Sequence, residues 1–262
     1  TCNIGDCTPG LIPFTTANKA DFSASLLDAE INWARGLDVN GEDKEIVGSP
    51  DDTLMRPSVH GDVIHSRPLP VNYGTGGVTV YYGANDGTLR AVNADNGTER
   101  WAFVAPEFFS RLSRIENNSP LVSYPGIDPD EFTPAPKPKD YFYDGSIGIY
   151  QNANNSQVWI YPSMRRGGRM LYGIDVTNPA TPVYKWRAGC PNLNNDTDCT
   201  EGMSGIGQTW STPNAAFIKG FSATTPVLVV GGGYDKCEDT DSAAPVCTNG
   251  KGGFVYVLNA DT

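Results

Sequence analysis

Histidine is almost missing from this sequence: 262 residues contain two, His60 and His65, and the six cysteines include no Cys-x-x-Cys pair. Structural zinc sites draw on closely spaced thiolates and imidazoles, so these shortages argue against a zinc-stapled fold. The absence of Cys-x-x-Cys-His removes a c-type haem. Basic charge is also scarce, with 19 Lys and Arg against 30 Asp and Glu for a net charge of −11. Phosphate backbones are bound by clustered cations, and the densest cluster here is Arg165-Arg166 in a Gly-flanked turn. Nucleic acid is therefore a poor partner. Long apolar runs are lacking; Pro226-Val227-Leu228-Val229-Val230 is strand-sized, which leaves no transmembrane helix. No signal-peptide pattern opens the chain, which reads as a mature or excised segment.

What the chain has is turn chemistry. Gly 29, Pro 20 and 10% aromatic residues point to an all-β architecture with bulky packing groups. The cysteines fall in three close pairs, Cys2/Cys7, Cys190/Cys199 and Cys237/Cys247. Pairing of neighbours would close three short surface loops, as in periplasmic or secreted proteins, although spacing alone leaves connectivity open.

Residues 80–101 set the repeat. Two turn signals, Asn85-Asp86-Gly87 and Asp95-Asn96-Gly97, separate three strand-length runs, and Leu89 and Ala91 alternate with Thr88, Arg90 and Val92 so that one face is buried. The plan returns in residues 140–188, where Trp186 is the equivalent of Trp101. It returns again in 207–262, where Gly253-Phe254-Val255-Tyr256-Val257-Leu258-Asn259-Ala260-Asp261 restates residues 87–95. Residues 1–55 then form a loop and helical lead-in, and 56–262 a partial β-propeller with units at about 56–104, 140–188 and 207–262. Closed propellers take roughly four to eight blades, so three units make part of a ring. Residues 18–35 read as one helix with a Phe22, Leu26, Ala29 and Trp33 stripe ended by Gly36. Residues 106–115 read as a second, and the prolines up to Lys139 enforce an extended connector. A short strand is expected around Val63-Ile64.

No catalytic residue stands out. His60 and His65 are five apart, which on a strand puts them on opposite faces, so structural hydrogen bonds are the expectation. Asp38, Asn40 and Glu42 resemble the first half of a calcium loop, but Gly41 comes too early and Val47 or Gly48 replaces the terminal Glu. Asp235, Glu238, Asp239 and Asp241 crowd the Cys237/Cys247 insertion and form a second calcium candidate. Asp196 and Asp198 lie in the Cys190/Cys199 loop, whose default reading is a stapled polar loop. The two insertions are the expected recognition loops. Asn85, Asp86, Asp95 and Asn96 are read as turn formers and Trp101 as a packing residue.

Several separate motifs resemble one family. Trp33-Ala34-Arg35-Gly36, His60-Gly61-Asp62-Val63-Ile64-His65-Ser66-Arg67-Pro68 and Trp101-Ala102-Phe103-Val104-Ala105-Pro106-Glu107 come first. Asp140-Tyr141-Phe142-Tyr143-Asp144-Gly145 and Gly231-Gly232-Gly233-Tyr234-Asp235 follow, in the order seen in the PilC/PilY family. The resemblance implies a non-enzymatic type IV pilus biogenesis factor and tip-associated adhesin, seen through its C-terminal propeller. Its partners would be pilus minor pilins or outer-membrane pilus machinery, and its location extracellular or at the outer membrane. The family's calcium loop, Asp-x-Asn-x-Asp-x-x-x-Asp, is not found in this sequence, nor is its N-terminal adhesive region. One alternative is a quinoprotein dehydrogenase using pyrroloquinoline quinone with calcium. It needs a catalytic Asp and typically adjacent cysteines, and no two cysteines are adjacent here. Another is an outer-membrane assembly scaffold, which shares the repeat but would lack the motif at residues 60–68.

Overall fold

The structure is a computed structural model describing residues 11–23, 25–42, 55–239 and 247–262. Strands β1 (Leu69–Asn72), β2 (Val78–Gly83), β3 (Thr88–Asn93) and β4 (Glu99–Val104) pair in chain order as an antiparallel sheet. Strands β5 (Ile147–Gln151), β6 (Val158–Pro162), β7 (Arg169–Asp175) and β8 (Val183–Cys190) repeat the arrangement. In the third unit β9 (Asn214–Ala216), β10 (Val227–Gly231) and β11 (Val255–Asn259) make a three-stranded sheet centred on β10. The tight turns use the expected glycines: Gly87 and Gly97 sit at φ +96° and +74°, where a side chain would be strained.

The middle sheet is buried on both faces, and strand alternation divides its side chains between two neighbours. Val158, Ile160, Met170, Tyr172 and Ile174 pack with Tyr81, Leu89, Ala91 and Phe103 of the first sheet. Trp159, Tyr161 and Leu171 face the other way, towards Leu228, Val230 and Ala260 of the third unit. At about 1.5–3 kcal/mol for each large apolar side chain buried, these two interfaces are the main stabilising term. Each unit is also pinned to the next by its repeat tryptophan. Trp101 Nε1 donates to the Pro179 carbonyl at 2.9 Å, and Trp186 Nε1 to the Ala260 carbonyl at 3.2 Å. Glycines permit the close approach at both junctions: a Cβ on Gly83 would strike the Tyr143 carbonyl, and one on Gly148 that of Pro213.

The all-β units are as expected, but among the described residues the three sheets stack in series and do not close into a ring. On the third sheet Phe254, Val255 and Val257 are exposed at 55%, 70% and 55%. Two local expectations are corrected. Residues 18–35 are not one helix: a 3-10 turn (Thr16–Asp21) precedes α1 (Asp28–Ala34). Glu30 accepts from the Leu27 amide at 2.7 Å and starts α1 there, which exposes Ala29 and puts Ile31 in the core instead. The end is as read, because Gly36 donates to Trp33 and Leu37 to Asn32 in a Schellman pattern. Val63-Ile64 is not a strand; the first strand starts at Leu69 and tolerates Pro70 because it is an edge. The second helix, α2 (Phe109–Asn117), follows a 3-10 turn (Pro106–Phe108) and stops at left-handed Asn118. No helix among the described residues is long and apolar enough to cross a membrane.

Candidate functional site

Two segments that bear no strand, residues 60–68 and 140–145, meet at the β2–β3 turn, and Asn85 is the hub. Its amide donates to the Asp62 carbonyl at 3.0 Å, and its Oδ1 accepts from the Phe142 amide at 3.2 Å. Its Nδ2 reaches the Asp62 and Asp144 carboxylates at 3.4 and 3.3 Å. The Asp144 side chain is 0% exposed and faces His65 Nδ1 at 2.7 Å. Lys139 pairs with Asp62 at 3.0 Å. His60 lies elsewhere, with Nε2 on the Tyr82 hydroxyl at 2.8 Å, so the two histidines do not converge. Next to Asn85, the buried Asp86 accepts from the amides of Gly61 and Thr88, the Thr88 hydroxyl and Arg90. Burial pushes the Asp86 carboxyl up, but the Arg90 charge and these hydrogen bonds outweigh it and hold it below the usual carboxylate range. Asn85 and Asp86 therefore do more than form a turn, and together they tie the first unit to the second.

A second polar assembly is built by the insertions. Cys190–Cys199 and Cys237–Cys247 are disulfides; Cys2 and Cys7 lie outside the described residues. Arg169, 4% exposed at the start of β7, donates to the carbonyls of Ile206, Asn192, Asn195 and Ser204 and to Asp196 Oδ1. This arginine fixes the first loop from beneath. The second loop docks on the first through Lys236 to Asn194 at 2.8 Å and Lys251 to Asp196 at 2.6 Å. Hydrogen bonds from Lys251 and Arg169 hold the Asp196 carboxyl below its ordinary value. Between the loops lies a polar cavity of about 400 Å³, lined by Asn195, Gln208, Tyr234 and Asn249 among others.

The calcium candidates are placed as follows. Asp38 Oδ1 accepts the Glu42 amide at 2.7 Å, and Asn40 Nδ2 donates to the Glu116 carbonyl at 3.5 Å. Asp235 accepts from the Cys237 and Lys251 amides. Asp239 takes a bidentate pair from Arg166 at 2.6 and 3.1 Å, plus the Tyr234 hydroxyl. Glu238 lies in the 3-10 turn (Lys236–Glu238), and Asp241 is outside the described residues.

Sequence reasoning missed Arg169, Asp144 and a third buried network in which Glu107 accepts from Tyr172 at 2.5 Å and Arg187 at 2.9 Å. It also missed Arg111, whose guanidinium sits over Phe108 and Phe142 and is pushed down to about 10 by burial. The available signal was charge beside apolar residues: Arg169 opens a strand and is followed by Met170-Leu171-Tyr172, and Arg187 sits between Trp186 and Ala188.

Stacked β units carrying disulfide-stapled insertions define a β-repeat protein with reinforced surface loops. The chain is similar in sequence to proteins named type IV pilus biogenesis factor PilY1. It is 28% identical over 219 residues to the type IV pilus biogenesis factor PilY1 of Pseudomonas aeruginosa strain UCBPP-PA14, covering 74% of this chain and 16% of that protein. It is 26% identical over 232 residues to the PilY1 homolog of Xylella fastidiosa, covering 78% and 16%. The chain thus spans 16% of the length of these curated relatives. The crystal structure of the P. aeruginosa PilY1 C-terminal domain superposes with a TM-score of 0.42 at 20% identity, over 73% of this chain and 31% of that one. No family model matches the chain.

Proposed function

We propose that this chain is a segment of a type IV pilus biogenesis factor that acts by binding and not by catalysis. The observation that carries the reading is similarity across roughly three-quarters of the chain, 74% and 78%, to proteins bearing that name. In this reading the three sheets are consecutive blades of a propeller, and the exposed Phe254, Val255 and Val257 face receives the next blade. The stapled loops present the contact surface for minor pilins or outer-membrane pilus machinery, outside the cell or at the outer membrane and pilus tip. Two disulfides fit export through an oxidising compartment. In-frame deletion of the coding sequence for residues 56–262 is expected to abolish surface pili while pilin is still made. Normal piliation in that strain would refute the role.

A calcium ion forms part of the proposal, held by Asp235, Asp239 and Asp241 or by Asp38, Asn40 and Glu42. The first set is better supported, because a disulfide-stapled loop loses less entropy on closing around a cation. There calcium must displace Arg166 from Asp239, so binding would be weak. Millimolar calcium is expected to raise the melting temperature by a few degrees, corresponding to about 1–3 kcal/mol near saturation. An unmoved melting temperature with no bound metal by elemental analysis rules the ion out.

A further inference from the structure

At one edge of the stacked sheets the loops of all three units border an open cleft of about 510 Å³. Its polar lining is His65, Ser66, Arg67, Ser146, Arg165 and Thr212, with Trp210 as the aromatic wall, and no Asp or Glu is among its lining residues. That is unusual in a chain with a net charge of −11. Arg169, Arg114, Arg90, Arg166 and Arg187 are all paired with carboxylates. By contrast, the guanidinium groups of Arg67 and Arg165 have no hydrogen-bond or ion-pair partner among the described residues.

Arg165 is nevertheless held in place. Its guanidinium lies 4.1 Å from the centroid of the Trp210 ring, a stacking that leaves the edge donors of the planar fork available. Its backbone sits at φ +48° in the left-handed region, uncommon for a long side chain, while Gly167 and Gly168 stand two and three residues on. Its amide donates to the Thr209 carbonyl at 3.1 Å, which fixes that conformation. On the other side of the cleft the buried Asp144 orients His65 through Nδ1, and Nε2 has no protein partner among the described residues. A held guanidinium, a lining without Asp or Glu and an aromatic wall suit the uptake of a planar or tetrahedral oxyanion.

We propose that this cleft is a binding site for an oxyanion group, carboxylate or phosphate, gripped by Arg165 and Arg67 against Trp210. The site is independent of the pilus reading and would stand if that reading failed. Calorimetric titration of the intact protein with inorganic phosphate and with citrate, at fixed ionic strength set by chloride, tests it. Saturable binding of at least one anion is expected; phosphate alone assigns a phosphate ligand, and citrate alone a carboxylate. Arg165→Gln is expected to weaken binding about tenfold or more, the usual loss for one charge-assisted contact. Arg67→Gln makes an independent second test, since that side chain supports nothing else in the fold. Lys219→Gln, an exposed cation elsewhere, should leave binding unchanged. No saturable heat with either anion would overturn the proposal, as would undiminished binding in both arginine variants or equal weakening by Lys219→Gln.

Discussion

Arg169→Met is expected to destabilise the protein by about 3–5 kcal/mol, the range for breaking a buried charged network by removing one member. The methionine fills a similar volume, so the loss is polar. Three carbonyls, those of Ile206, Asn192 and Asn195, lose their donor, and each one left dry costs about 1–3 kcal/mol, while Ser204 keeps Lys251 at 2.9 Å. The salt bridge itself is the minor part. Asp196 is 42% exposed and keeps Lys251 as a partner when Arg169 is lost; Asp196→Asn should cost under about 1 kcal/mol. Arg169→Lys keeps the charge but cannot span four acceptors, and it should fall between the two. Urea denaturation of the three variants separates these terms. If Asp196→Asn is as damaging as Arg169→Met, the carbonyl account is wrong. The loss should also appear locally, as faster proteolysis in the Cys190–Cys199 loop, because Arg169 is what joins that loop to β7.

The repeat was legible because its signals are local. Gly87 and Gly97 mark turns through their own backbone conformation, and Trp101 and Trp186 recur at the same place in successive units. The cysteine pairs 190/199 and 237/247 were legible for the same reason, being close in sequence. What was hidden depends on partners far away in the chain. Asn85-Asp86-Gly87 reads as a hairpin turn whatever surrounds it, yet Asn85 and Asp86 are buried because residues 60–62 and 142–144 close over them. The helical stripe at residues 18–35 failed differently. Phe22 and Leu26 are core residues as the spacing implied, but they reach the core from a 3-10 turn and a loop. Apolar spacing reports burial more faithfully than it reports the backbone that delivers it. Arg165 was noticed only as part of a basic pair; its stacking on Trp210 required the third unit to fold against the second.

Asp86→Ala should be comparably damaging, at about 3–5 kcal/mol, because it strips a buried guanidinium of its closest partner. Asp86 is 4% exposed and meets Arg90 at 2.8 Å, whereas Arg90's other carboxylate, Glu99, is 43% exposed and already shared with solvent. Glu99→Gln is therefore the mild control, expected to cost under about 1 kcal/mol. The pH dependence identifies the cause. The folded-state carboxyl of Asp86 is held below the ordinary aspartate value of 3.8, so its stabilisation is fully present above that value. It is lost as pH falls through the lower folded-state value, where both folded and unfolded forms carry the proton. Wild type and Asp86→Asn should then differ most at about pH 5 and above, and the gap should narrow as the pH drops below about 4. Other carboxylates titrate in both proteins and cancel in the difference, which makes paired urea melts across pH the suitable measurement. A gap that stays constant with pH would mean that Asp86 contributes through shape and hydrogen bonding, with its charge irrelevant. A gap that closes would make the Asp86–Arg90 ion pair, at the junction of the first two units, an early point of failure in acid.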